Sequence, residues 1–368
     1  MNLFNSKYIL SNKRHGWIDY DRGISIILVT YRHCYESMEK SGLDLKSYPW
    51  LEYINVFFFG FRMPLFFIAS GMFISGSMSK RGIGSYIQNR VQSILYPMLV
   101  WGVIQISLQL LFSNYTNSKN DINYYYYVYL ITDPRVTGQF WYLNALFFVG
   151  VIYAILKVKL RFTVWYQLFL GIFFYVLCGY INSQSINLGA INDILKYYLF
   201  FAVGDAISGF MLNDKTADLF TSRKVVIPLV ISFFVIQYIF TEINLKNGSN
   251  YHVENGIPLF FLLVAIVGCA MSISVSFSLK KHQKLNFLRV VGYNSVHIYC
   301  LQIIVMSLAR QFYMNILKLQ NVPFLALLIL TTGILLPMVI YNICLRLNAW
   351  WLFTLKKPVE EIEVIFKK

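Results

Sequence analysis

Arg22 and His33 stand eleven positions apart in the stretch IDYDRGISIILVTYRH at residues 18–33. On a helix at 100° per residue that separation is about 1100°, three turns plus roughly 20°, so both side chains leave one face about 16 Å apart along the axis. A guanidinium is a fixed cation whose planar fork binds phosphate or carboxylate. An imidazole near neutral pH can take a proton from a hydroxyl as a general base. Asp19, three positions before Arg22, can pair with it, and Glu36, three after His33, can hold its ring nitrogen. The spacing suits activation of a hydroxyl at one end of the helix and anchoring of an anionic group at the other. Asp21 and Arg32 lie well off that face, which leaves them solvation or contact with a neighbouring helix.

The element that must carry these groups is an apolar one. Ile24, Ile26, Ile27, Leu28 and Val29 make a face suited to lipid, and an ionisable residue inside a span costs about 2.5–3.5 kcal/mol on insertion scales, so it usually faces a cavity or partner. The rest of the chain argues for a membrane. Of its 368 residues 57% are hydrophobic, 18% aromatic and only 13% charged, where a soluble domain carries about 25% charged residues; the mean hydropathy is +0.54. This predicts an all-α polytopic membrane protein of about ten transmembrane helices at roughly 20 residues each, with no room for a sizeable soluble domain. Apolar windows fall at 17–36, 52–77, 91–113, 139–156, 163–181, 192–212, 225–242, 257–279, 290–312 and 322–345. The first is the least hydrophobic. The second is long, and Pro64 is expected to kink or break it. Residues 1–356 are read as one membrane domain and 357–368 as a cytoplasmic tail.

The net charge of +15 comes from 32 basic and 17 acidic residues. In a soluble chain that would raise nucleic-acid binding; here basic loops held on the cytoplasmic side account for it, and no nucleic-acid motif opposes that reading. One set of alternate loops holds Lys13, Arg14, Lys80, Arg81, Arg90, Lys157, Lys159, Arg161, Lys215, Arg223, Lys224, Lys280, Lys281, Lys284, Arg289, Arg346, Lys356 and Lys357. The other holds only Lys40, Lys46, Lys119, Arg135, Lys246 and Lys318. The alternation places both termini in the cytoplasm. The N-terminal MNLFNSKYILSNKRHGW lacks the apolar core and small-residue site of a cleavable signal peptide.

Cys34, Cys178, Cys269, Cys300 and Cys344 fall in or beside apolar windows at no metal-like spacing and read as core residues; no metal site is expected. The outer loops at 113–138 and 243–256 are polar, the first rich in tyrosine, which suits sugar stacking or, equally simply, an interfacial aromatic belt. There is no internal repeat.

Five segments resemble, in order, the membrane acyltransferase-3 family. IDYDRGISIILVTYRH is similar to its first helix, whose signature is Arg or Lys, ten residues, then His, matched by Arg22 and His33. FRMPLFFIASGMF at 61–73 resembles its F-x-M-P-L-F-F-x-x-S-G element, NRVQSILYPMLVWG at 89–102 its basic third-helix entry, GQFWYLNALFF at 138–148 its G-x-L-W-F-L element and GYNSVHIYCLQ at 292–302 its G-x-N-S-L-x-I-Y-L-L-H element. The sequence is closest in kind to the sugar O-acetyltransferase, fucose 4-O-acetylase-like branch. It departs from the pattern in having Ser93 where a second arginine often follows Arg90, Arg62 where that branch often has His, and Gln302 where the last motif ends in His.

The resemblance implies acyl transfer, typically acetyl, from acetyl-CoA or another acyl-CoA to a hydroxyl of a cell-surface or lipid-linked carbohydrate, by a multi-pass protein of the bacterial cytoplasmic membrane. Acyl-CoA is then the donor substrate, with no permanently bound cofactor. Asp19, Arg22, Arg62 and Arg90 are the candidates for its phosphate site. His33, with Glu36, is the catalytic candidate, either as base or as acyl carrier. Trp141 and Tyr142 are candidates for lining the acceptor route, with packing at the membrane interface as the alternative. Asn294 and Ser295 suit a helix cap better than catalysis. The partners are acyl-CoA, a carbohydrate acceptor and the lipid bilayer, without nucleic acid, and a homodimer is allowed. The other class open to such intramembrane charges is a polysaccharide or lipid-linked sugar transporter or flippase.

Overall fold

The computed structural model describes residues 4, 6–11, 15–113, 122–213, 215–248, 251–359 and 361–362, which contain helices and no strand. Lys13, Arg14, Lys119 and most of the tail lie outside these. The long elements are α1 (Gly16–Glu39), α2 (Pro49–Phe57), α3 (Phe59–Gly71), α4 (Ile74–Arg90), α5 (Tyr96–Leu111), α6 (Trp141–Lys159), α7 (Val164–Ser183), α8 (Ala190–Met211), α9 (Arg223–Lys246), α10 (Pro258–His282), α11 (Phe287–Tyr293), α12 (Ser295–Gln311) and α13 (Val322–Arg346). Eight helical segments are long and apolar enough to cross a membrane, or nine if the bent α11–α12 segment is one span. Helix α1 is the polar addition to that set. Its 24 residues suffice to cross, but Asp19, Asp21, Arg22, Arg32, Glu36 and Glu39 take it out of the apolar class.

The position of α1 resolves that conflict. It packs against α3, α10, α11, α12 and α13, so protein surrounds it. Asp19 and Asp21 are both buried. The lipid face belongs instead to helices such as α7 and α9, which expose Trp165, Phe169, Phe173, Ile231 and Phe234. An all-apolar exterior around one polar central helix is how a bundle keeps charge in the membrane at tolerable cost.

Close backbone contact sets where α1 sits. A Cβ added to Gly23 would lie 2.2 Å from the Leu288 carbonyl oxygen, and one on Gly292 would lie 1.8 Å from that of Asp19. Small residues allow such backbone approach, and here they clamp α1 onto α11 beside Arg22. The same device joins α3 to α8, where a Cβ added to Gly71 would lie 2.1 Å from the Phe201 carbonyl oxygen and one on Gly204 2.2 Å from that of Ile68. We expect Gly23→Ala to lower stability by about 1–3 kcal/mol, because the obstacle is backbone and cannot rotate away. Gly76→Ala, which meets nothing within 4 Å, should change it by less than about 0.5 kcal/mol. Thermal melting in detergent, followed by intrinsic fluorescence, compares the two; equal melting temperatures would contradict the clamp.

Three expected spans are interrupted, and not all where predicted. Pro64 sits inside α3 without breaking it. The chain breaks instead at Phe58, between α2 and α3, and at Met72–Phe73 before α4. The proline removes one hydrogen bond, to the Gly60 carbonyl close to the start of α3, where little of the helix depends on it. The segment before α5 widens into a π turn at Val91–Leu95, just ahead of Pro97, a common response to a missing donor. The window expected as one span at 290–312 is two helices, α11 and α12, bent by 83° at Asn294. All five cysteines are unpaired, four of them buried.

Candidate active site

A cavity of about 360 Å3 opens among α1, α3, α4, α6 and α12, and Arg22, Arg90 and Tyr142 line it together with Ser70, Tyr86, Ser295 and Tyr299. Three of the candidates distant in sequence thus meet in one place. Arg90 is the best defined. It leaves the end of α4 nearly buried, donates through Nε to the Tyr86 hydroxyl at 2.9 Å and through Nη2 to Ser70 Oγ at 2.7 Å, and lies 5.6 Å from the centre of the Phe201 ring. The Tyr86–Arg90 bond follows from i,i+4 spacing on one helix. Among the described residues no carboxylate comes within 4.0 Å of Arg90, so its charge is oriented by neutral partners and left for an anion.

A buried acid links the helices around this cavity. Asp205 of α8 accepts from the Tyr153 hydroxyl at 2.7 Å and from Ser75 Oγ at 2.5 Å, and pairs with Lys157. It ties α4, α6 and α8 together, and with them the helix that presents Arg90.

His33 does not line the cavity. It sits three turns along α1 from Arg22, with Nδ1 3.4 Å from Glu36 Oε2. The expected Glu36–His33 contact is present, and it leaves Nε2 without a hydrogen-bond partner among the described residues. Glu36 is shared: Arg32 Nε donates to its Oε1 at 2.7 Å. Arg32 also donates to the Tyr251 hydroxyl and lies over the Phe59 ring at 5.0 Å. Its role is therefore contact with neighbouring elements and orientation of Glu36. Asp21 likewise turns to a neighbour, accepting from Ser272 Oγ of α10 at 2.7 Å.

Two predicted donor-site residues fall elsewhere. Arg62 is toward the His33 end: it is 1% exposed, its Nη1 donates to the Leu28 carbonyl at 3.2 Å and to Asn55 Oδ1 at 3.3 Å, and it shares the Phe59 ring with Arg32, each at 5.0 Å from the ring centre. The spacing of FRMPLFF could not show this, because which end of α1 faces α3 is a tertiary fact. Asp19 does not line the cavity: its backbone carbonyl faces Gly292 of α11, while Arg22 lines the cavity.

Trp141 and Tyr142 part company although adjacent. Tyr142 lines the cavity and packs on Phe66, Phe67 and Tyr299 at 5.2–5.5 Å. Trp141 lies under the Arg135 guanidinium at 4.2 Å, which in turn holds Asp193 with two nitrogens. Asn294 marks the α11–α12 bend without capping α12: its Nδ2 donates to the Val290 carbonyl at 2.9 Å. Its neighbour Ser295 lines the cavity. Ser70, Tyr86 and Tyr299 add to the candidates named from sequence; Ser70 and Tyr299 stand at fixed positions of the second and last family elements, and Tyr86 precedes Arg90 by one helical turn. Among the described residues no three His, Cys, Asp or Glu side chains gather as a metal would need.

Comparison with known proteins gives the family. The Acyltransferase domain family matches residues 15–342, which contain every residue of both groups. The chain is also 26% identical over 155 residues to the nodulation protein NolL of Mesorhizobium japonicum, a match that covers 42% of this chain and 39% of that protein. No solved structure matches it. With apolar helices around a polar first helix, and a family match over most of its length, the chain belongs to the acyltransferase-3 family of multi-pass membrane proteins.

Proposed function

We propose that the enzyme moves an acetyl or other short acyl group from acyl-CoA, entering from the cytoplasm, to a hydroxyl of a cell-surface or lipid-linked carbohydrate, as in the sugar O-acetyltransferase branch. The observation that carries this reading is Arg90, fixed by Tyr86 and Ser70 in a cavity wall with no carboxylate within 4.0 Å among the described residues. A phosphate-bearing donor supplies the missing anion through paired N–H bonds, and Arg22 lines the same cavity. The side of entry follows from charge. Helix α4 carries Lys80 and Arg81 and ends at Arg90, all in the basic set that the positive-inside rule assigns to the cytoplasm. Both termini then lie on that side, in the cytoplasmic membrane of a bacterium.

His33 serves as the base. With Nδ1 turned to Glu36, the free Nε2 is the atom available to take the acceptor's proton. The hydroxyl oxygen attacks the thioester carbon, the C–S bond breaks, and the proton passes to the departing CoA thiolate. Purified enzyme in detergent should bind acetyl-CoA, seen as a rise in melting temperature, and release CoA slowly with water in place of the sugar. Protein that neither shifts nor releases CoA would refute this donor assignment.

A further inference from the structure

The cavity that holds Arg90 has a second wall built to receive an anion. Helix α12 begins there: Ser295 and Val296, its first two residues, both line the cavity. The 83° bend at Asn294 ends the α11 ladder, and the ladder of α12 starts with the Ile298 amide donating to the Asn294 carbonyl at 2.9 Å. The amides of Ser295 and Val296 come before that bond, so α12 itself supplies them no acceptor. No side chain caps this end, because Asn294 turns its Nδ2 back to the Val290 carbonyl. With 17 residues, α12 is long enough for its aligned peptide dipoles to place about half a positive charge at this end.

Two side chains add to the helix end. Ser295 is 6% exposed, and its hydroxyl has no hydrogen-bond partner among the described residues. It is not sealed off either, so the surface it keeps is cavity surface. Arg90 is 8% exposed. Its Nε and Nη2 are spent on Tyr86 and Ser70, whereas Nη1 has no hydrogen-bond partner among the described residues and also keeps open surface. Among the described residues, the lining of the cavity holds Arg22 and Arg90 and no Asp or Glu. Every charge that faces this space is therefore positive, and hydrogen-bond donors remain on two of its walls.

Resting on the reading of acyl-CoA as donor, we propose that the start of α12 is a second phosphate subsite: the Ser295 hydroxyl and the amides of Ser295 and Val296 hold one phosphate group of the donor, while Arg90 holds another. Backbone N–H groups and the dipole at a helix N-terminus suit a phosphate oxygen, and the Ser295 hydroxyl adds a charge-assisted hydrogen bond. A donor that carries several phosphates can engage both walls at once. Ser295 is then a binding residue that takes no part in bond making or breaking.

The test uses the full-length protein in detergent, with acetyl-CoA as donor and released CoA thiol as readout, on Ser295→Ala and Ser295→Asp. Aspartate suits the first turn of a helix but puts a carboxylate where the phosphate would sit. Ser295→Ala should raise KM for acetyl-CoA by about 10-fold and Ser295→Asp by about 100-fold, each with kcat within about 3-fold of the parent. S-acetylpantetheine carries the same thioester and no phosphate, so the loss in kcat/KM should vanish with it. Acetyl-dephospho-CoA names the group: a KM penalty that disappears assigns the 3′-phosphate, one that persists assigns the pyrophosphate, and both uphold the subsite. A KM for acetyl-CoA within about 3-fold of the parent in both variants, or an equal loss with S-acetylpantetheine, overturns it. Ser295→Ala carries the test if the aspartate variant does not fold. A parent protein that neither binds nor turns over acetyl-CoA refutes the donor reading itself; a parent that does, beside variants with unchanged KM, refutes only the α12 subsite.

Discussion

His33→Ala should lower acyl transfer by about 10²–10⁴-fold, the usual contribution of a positioned general base. The loss should fall on kcat. His33 lies three turns along α1 from Arg22 and outside the wall that holds Arg90, so removing the imidazole leaves the donor's phosphate contacts in place. Acetyl-CoA should therefore still raise the melting temperature of the variant. Glu36→Gln should cost less, because it keeps a hydrogen-bond acceptor near Nδ1 and removes only the charge that orients the ring. Activity of both variants against acetyl-CoA checks the order. A His33→Ala enzyme with undiminished transfer would remove the base from this mechanism.

The second large effect belongs to Arg90. Arg90→Met should raise KM for acetyl-CoA by about 10–100-fold and leave kcat within a few-fold, since a charge-assisted hydrogen bond is worth about 1.5–3 kcal/mol. Arg90→Lys should recover little of this. Lysine keeps the charge, but it cannot span the Tyr86 hydroxyl and Ser70 Oγ with separate nitrogens while presenting a third to the cavity. Tyr86→Phe should fall between the parent and the methionine variant, because Ser70 still holds one nitrogen. Steady-state kinetics in acetyl-CoA distinguish these outcomes. A loss in kcat at constant KM would place Arg90 at the reacting centre instead.

These two residues also show where sequence reading succeeds. Arg22 and His33 share a helix, so their register is local: eleven residues at 3.6 per turn return to one face whatever surrounds them. The contact between Glu36 and His33 and that between Tyr86 and Arg90 are local for the same reason, and both are present.

Arg62 and Trp141 mark the other limit. Both were grouped by residue type, Arg62 with the phosphate cations and Trp141 with Tyr142. Type does not record which end of a neighbouring helix a side chain meets. Arg62 went to the His33 end because α3 presents it to the Leu28 carbonyl. Trp141 went under Arg135 because adjacent residues on α6 point about 100° apart.

The sequence alone therefore determined the membrane class, the order of the apolar segments, the family resemblance and the shared face of Arg22 and His33. All of these depend on composition or on contacts within about one helix. Only the tertiary structure decided that α1 lies inside the bundle, that the Gly23–Gly292 contact clamps it to α11, and that α3, α4, α6 and α12 close a cavity around Arg22 and Arg90. It decided as well that Arg62 stands with the histidine. The physical reason is that helix packing is fixed by backbone approach at small residues and by the bends at Phe58 and Asn294. A hydropathy pattern reads the length and polarity of each helix, and it carries no record of which faces meet.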